Sequence, residues 1–221
     1  MNQEISDIRK EYTKGKLDAS ILGKEPLQAF KTWFNEALHS EVLEANAMVL
    51  STVSQSGRPS SRVVLLKEIS DKGIVFFTNK NSRKGLEISL NPNVSVVFFW
   101  GELERQVRME GYITEISEQA NDDYFYTRPR ISQAGAVVSP QSQAISDRSQ
   151  LDDAMQEWLV DESKFITRPA HWGGYEIVVD RVEFWQGRPG RVHDRIVFIK
   201  NENDSNEGNS RESWIIQRLA P

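Results

Sequence analysis

The stretch AMVLSTVSQSGRPSSRVVLLKEISDKGIVFFTN, residues 47–79, decides the fold. Three runs, AMVLSTVS (47–54), SSRVVLLKEI (60–69) and GIVFFTN (73–79), are rich in Val, Ile, Phe and Thr. QSGRP (55–59) and SDKG (70–73) separate them with turn-forming residues. β-branched and aromatic runs divided by Gly, Pro, Ser and Asp predict a meander of antiparallel strands. On its C-terminal side, NSRKGLEISLNP (81–92) predicts a short helix stopped at Asn91-Pro92. NVSVVFFW (93–100) and ERQVRMEGYITEIS (104–117) predict a second long hairpin around Gly101.

Further out, the pattern changes twice. Pro26 opens a helical run in which Leu27, Phe30, Trp33, Phe34, Ala37 and Leu38 recur at three- and four-residue spacing. Residues 1–25 are polar and predict a short helix and a mobile arm. Residues 118–165 are mostly helical in pattern. SEQANDDYFYTRP (117–129) begins with a serine cap and an acidic first turn. LDDAMQEWLVDE (151–162) gathers Leu151, Ala154, Met155, Trp158 and Leu159 on one face. Strands return in YEIVVDRVEFWQG (175–187), VHDRIVFIK (192–200) and SWIIQRLA (213–220), with the polar loop NENDSNEGNS (201–210) between the last two. Strands on both sides of a helical block predict an α+β fold, mainly antiparallel β. The expected form is one barrel domain over 26–221 with peripheral helices, preceded by the 1–25 arm.

Composition removes several chemistries. The 221 residues include no cysteine and three histidines, His39, His171 and His193. Disulfides, thiolate nucleophiles and cysteine metal sites are excluded, and three scattered histidines make no metal motif. Lys plus Arg is 27 and Asp plus Glu is 32, a net charge of −5, which disfavours sequence-independent nucleic-acid binding. The N-terminus has no apolar signal region, and VSVVFFW (94–100) is too short to span a bilayer, so no membrane is expected and the cytoplasm is the default location. No dinucleotide-binding glycine motif, phosphate-binding P-loop or serine-nucleophile elbow occurs.

Four cationic segments remain. In RVVLLK (62–67), strand alternation puts Arg62, Val64 and Leu66 on one face and Val63, Leu65 and Lys67 on the other. Each cation either snorkels at a strand end or reaches an anion. TNKNSRKG (78–85) leads into a helix start carrying Arg83 and Lys84, which is either an ordinary capped helix or a phosphate site. YFYTRPRISQAG (124–135) brings Tyr124, Arg128, Arg130 and Ser132 around Pro129, a set that either solvates a helix end or binds a phosphate ester. EFWQGRPGRVHDR (183–195) puts Arg191, His193 and Arg195 on one face if the strand is regular. Either Asp194 and Glu183 neutralise these cations, or a ligand does.

Together with ERQVRMEG and the terminal IQRLAP, these segments occur in the order found in the pyridoxine (pyridoxamine) 5′-phosphate oxidases, and the chain resembles that family from about Arg9 to Pro221. The resemblance implies a homodimeric FMN-binding split barrel of Greek-key type, with FMN at the subunit interface. It implies oxidation of pyridoxine 5′-phosphate and pyridoxamine 5′-phosphate to pyridoxal 5′-phosphate, with O2 as acceptor and release of H2O2, plus NH3 from the amine. Arg62, Val63, Val64, Leu65, Leu66 and Lys67 carry over as the strand along FMN. Phe77, Thr78, Arg83 and Lys84 carry over chiefly around its phosphate. Gln106, Gln141, Ser142, Trp185 and Arg195 carry over as further cofactor contacts from the two subunits. Lys67, Tyr124, Arg128 and Ser132 match the substrate-phosphate cage. Arg191 and His193 match catalytic groups over the pyridine ring, and Arg9 and Tyr12 a pair that closes over the substrate.

Overall fold

The computed structural model describes residues 4–8, 10–201 and 213–221. Arg9 and most of the expected loop 201–210 lie outside the described residues. Among the described residues nine strands form one antiparallel, curled sheet: β1 (Ala47–Val53), β2 (Pro59–Leu65), β3 (Glu68–Ile69), β4 (Gly73–Asn79), β5 (Asn93–Trp100), β6 (Arg105–Glu115), β7 (Trp172–Gln186), β8 (Asp194–Lys200) and β9 (Trp214–Leu219). The order is β2-β1-β5-β6-β7-β4-β3, with β8 and β9 added beside β7. The mainly antiparallel α+β barrel expected from the meander is what the chain forms.

One expected strand is two. SSRVVLLKEI is broken at Leu66–Lys67 because the chain changes partner there. The Leu66 N–H donates to Asn46 O at 2.9 Å, on the β1 side, and the Lys67 N–H donates to Val75 O at 2.9 Å, on β4. Those two residues close the barrel by linking its edges, and Lys67 sits at the seam. β7 is the longest strand, with 15 residues. It pairs with β6 along nearly its whole length, with β4 at its start and with β8 at its end. A bulge between Glu110 and Gly111 bends that pair.

The helices are α1 (Ala19–Leu22), α2 (Pro26–His39), α3 (Arg83–Leu90), α4 (Glu118–Thr127), α5 (Arg130–Val138) and α6 (Ser149–Leu159). Pro26 opens α2 as expected. Its buried face presents Phe30, Trp33 and Ala37 to the barrel, where Phe30 packs on Phe98 and Trp33 meets Phe184 edge-on. Burying each such aromatic stabilises the fold by about 1.5–3 kcal/mol. A second, smaller cluster lies under α4, α5 and α6, built on Phe125, Ala134, Ile166 and Trp172. In the stretch expected to be an arm, Leu17 and Leu22 are buried in the main cluster. The Thr13 and Lys14 N–H groups donate to the Glu104 carboxylate at 2.8 and 2.9 Å. No helix among the described residues is long and apolar enough to cross a membrane.

Candidate active site

A cavity of about 670 Å³ opens between the β2 edge, the start of α3 and the α4–α5 junction. Its floor is the seam of the barrel: Arg62, Val63, Val64, Leu65 and Lys67 line it. Leu66 does not, because it points into the core, where it is 5% exposed.

The first cation group sits at the start of α3. Ser82 caps that helix, its hydroxyl accepting from the Gly85 N–H, and Lys84 turns back beneath it. Gly85 is needed there, since a Cβ would lie 2.1 Å from Lys80 O. Lys84 is 8% exposed and donates to Ser82 Oγ at 3.0 Å and to Gln141 Oε1 at 2.9 Å. Burial, and then the charge of Arg62, pulls its ammonium down to about 8. Thr78 Oγ1 also donates to Gln141, at 3.3 Å, so the 139–143 loop is drawn onto the site. Arg83 and Ser142 complete this wall.

Arg62 and Arg83 share one buried carboxylate, Glu87. Arg83 Nε donates to Glu87 Oε1 at 2.9 Å, and Arg62 Nη2 lies 3.4 Å from Oε2. Burial would raise the Glu87 carboxyl, but hydrogen bonds from Thr52, Ser60 and Arg83, with the Arg83 charge, hold it down at about 2. Three cations against one carboxylate leave this corner positive.

The second group comes from the α4–α5 junction, where Tyr124, Arg128 and Ser132 enter the cavity opposite Lys67. Tyr124 stacks on Phe77 at 4.0 Å between ring centroids. Arg128 leaves α4 with extended backbone, as a residue before proline should. Its guanidinium lies 4.5 Å from the Trp172 ring centroid, and Nη1 is buried without a hydrogen-bond partner. Among the described residues no carboxylate pairs with Lys84, Arg128 or Lys67. For Lys84, buried, and Arg128, half-buried, a cation without a counter-charge is costly unless an anion completes it.

The remaining expected residues gather elsewhere. Gln106, Trp185 and Arg195 are neighbours in one row across β6, β7 and β8. Beside that row, Tyr12 meets Trp185 at 5.6 Å and His193 at 5.7 Å, and His193 meets Trp185 at 4.7 Å. A second cavity of about 450 Å³ there is lined by Tyr12, Arg188, Arg191 and His193. The regular strand expected through Arg191 and His193 begins only at Asp194. Arg191 instead closes a 3-10 turn, with a positive φ of 61°. Alternation therefore does not place Arg191 on the face of Arg195. Arg195 is neutralised by Glu183 at 2.8 Å, and Asp194 pairs with Arg188 and Arg218, while Arg191 has no ion pair among the described residues.

Two residues of the first site escaped the sequence reading. Glu87 had a signal in its four-residue spacing from Arg83. Trp172 had only the two glycines that follow it. Its role depends on pairing with Asn79 across β4 and β7.

Comparison with known proteins meets this geometry. The pyridoxamine 5′-phosphate oxidase family profile matches residues 34–160. The chain belongs to the pyridoxamine 5′-phosphate oxidase family. A second profile, the pyridoxine 5′-phosphate oxidase C-terminal dimerisation region, matches residues 172–221, which supports a homodimer. A pyridoxine/pyridoxamine 5′-phosphate oxidase of Leptospira interrogans is 49% identical over 100% of both chains. One of Trichormus variabilis is 45% identical, again over 100% of both. Among solved structures, PhzG from Burkholderia lata, in complex with tetrahydrophenazine-1-carboxylic acid, superposes with a TM-score of 0.82 at 29% identity, covering 90% of this chain and 93% of PhzG. A pyridoxamine 5′-phosphate oxidase-related FMN-binding protein of Nostoc punctiforme has the same fold, with a TM-score of 0.68 at 17% identity over 87% of this chain and 97% of its own. The expected FMN-binding split-barrel fold is thereby borne out.

Proposed function

We propose that this family member is an FMN-dependent oxidase that converts pyridoxine 5′-phosphate and pyridoxamine 5′-phosphate to pyridoxal 5′-phosphate. O2 is the acceptor, H2O2 is released, and the amine also yields NH3. One observation carries the proposal: a single cavity holds two separate cation groups, each short of negative charge, as a phosphorylated cofactor beside a phosphorylated substrate requires. The donors fit FMN. Lys84, Arg62 and Arg83, with Thr78 and the Gln141–Ser142 loop, would hold its phosphate. The β2 edge from Val63 to Leu65 offers an apolar wall for the ring system. When bound, FMN would supply the reversible two-electron chemistry of the oxidation.

The chain's own residues then bind and orient. Arg128, Tyr124, Ser132 and Lys67 hold the substrate phosphate, so that orientation contributes much of the rate. Arg191 and His193 hold the ring substituents, and Arg191 stabilises developing charge. Tyr12, with Arg9, closes over them.

These last residues support a shared site. Trp172 opens β7 in the first cavity, and Gln186 closes β7 beside the second. Fourteen steps at about 3.3 Å each put up to roughly 46 Å of strand between them. In such a shared site Arg191 and His193 would come from the partner copy, with Gln106, Trp185 and Arg195 serving FMN from the same side. A cytoplasmic location accords with this metabolic role.

The test is direct. The purified protein should be yellow with FMN and should release H2O2 when pyridoxine 5′-phosphate is added. A protein that takes up no FMN, or one that turns over tetrahydrophenazine-1-carboxylic acid and leaves pyridoxine 5′-phosphate untouched, would sink the proposal.

A further inference from the structure

Arg128 is held in an unusual way for a half-buried cation. Arg62 and Arg83 are fixed by the Glu87 carboxylate. Among the described residues Arg128 has no such partner. Its guanidinium carbon lies 4.5 Å from the Trp172 ring centroid and 5.7 Å from that of Phe125. A carboxylate would fix the guanidinium but cancel its charge and compete with an incoming anion. An aromatic face attracts the cation and leaves its N–H groups free. Nη1 is buried with no acceptor, so one donor is kept unspent.

The platform is itself rigid. Trp172 is 6% exposed. Its ring stacks on Phe77 at 5.3 Å and 15°, and meets Phe125 edge-on at 5.1 Å. Its N–H donates to Pro169 O at 2.9 Å, and its carbonyl accepts from Arg168 Nη1 at 2.8 Å. Strand pairing with Asn79 locks it one residue from Thr78, on the wall shared with the first cation group. The ring is therefore held by contacts that do not involve Arg128, and it offers the guanidinium a fixed face.

We propose that Trp172 is a positioning residue that fixes Arg128 without neutralising it, and so sets the preference for phosphorylated over unphosphorylated substrate. This rests on the proposed role of Arg128 at the substrate phosphate. It adds a residue that touches no reacting atom yet decides which ligand class is retained.

The test compares affinities of the full-length, FMN-loaded protein for pyridoxal 5′-phosphate and for pyridoxal, read by absorbance and flavin-fluorescence titration. Trp172→Leu should weaken pyridoxal 5′-phosphate by about tenfold, through loss of the cation–π contact, and leave pyridoxal within about twofold. Trp172→Phe keeps a face and should fall between. A ring-fluorinated tryptophan at 172 keeps the shape and withdraws the negative face, so it carries the test if the leucine variant does not fold. It should lose affinity for the phosphorylated ligand alone. Equal loss for both ligands would mean ordinary packing and would overturn the proposal, as would an unchanged ratio in the fluorinated or phenylalanine variant. A wild-type protein that takes up FMN but does not prefer the phosphorylated ligand would instead overturn the role of Arg128 itself.

Discussion

Lys84 shows how a single residue reports on its missing partner. Burial and the nearby Arg62 charge lower its pKa to about 8 from 10.5. A lowered lysine pKa means that the folded chain holds fewer protons than the unfolded chain between these values. Stability from this group therefore rises as pH climbs from about 8 towards 10.5. Anion affinity runs the opposite way, because a dianion needs the charged ammonium. FMN binding should weaken above about pH 8. In Lys84→Met it should be weaker throughout and lose that pH slope. Fluorescence titration of the flavin-free protein from pH 6.5 to about 9.5 checks both, and an unchanged slope in the variant would remove Lys84 from the phosphate site.

At the scale of elements, the N-terminal segment and the β7–β8 turn are fitted to each other. Gly187 lies under Tyr12, where a Cβ would come 2.7 Å from Tyr12 Cγ. Gly187→Ala should therefore push Tyr12 off Trp185 and His193. Aromatic contacts of this kind are worth about 0.5–1.5 kcal/mol, so KM for pyridoxine 5′-phosphate should rise by about two- to tenfold. FMN affinity should fall less than KM rises, because the FMN phosphate site in the first cavity is untouched and only its Trp185 contact lies beside Tyr12. Steady-state kinetics beside a flavin titration separates the two effects. Much at this scale was legible in sequence. Pro26, Ser82, Ser117 and Asn91-Pro92 mark helix ends through local backbone chemistry. The break at Leu66–Lys67 was not legible, because it depends on which strand each N–H finds. The irregular backbone at Arg191 was hidden for a similar reason, since an alternating pattern carries no signal of a positive φ.

At the scale of the molecule, two half-sites at opposite ends of β7 predict complementation between copies. Arg128→Met and Arg191→Met should each be nearly inactive as homodimers while still binding FMN. Mixed dimers, formed by co-expression with two tags, should regain activity, because one of their two sites holds both wild-type arginines. Mixed dimers as inactive as the parents would show that Arg128 and Arg191 serve the same site from one chain.

What the sequence determined by itself was local or cumulative: strand and helix order, the absence of thiol chemistry, the four cationic segments and the family they resemble. Each follows from residue type and short-range spacing. Tertiary structure alone decided how those segments sort. It placed Lys67 at a seam, gave Arg62 and Arg83 a carboxylate, gave Arg195 to Glu183, and left Lys84 and Arg128 without one among the described residues. Whether a cation is free for a ligand depends on which distant residues fold against it, and Trp172 lies 44 positions from the Arg128 it supports.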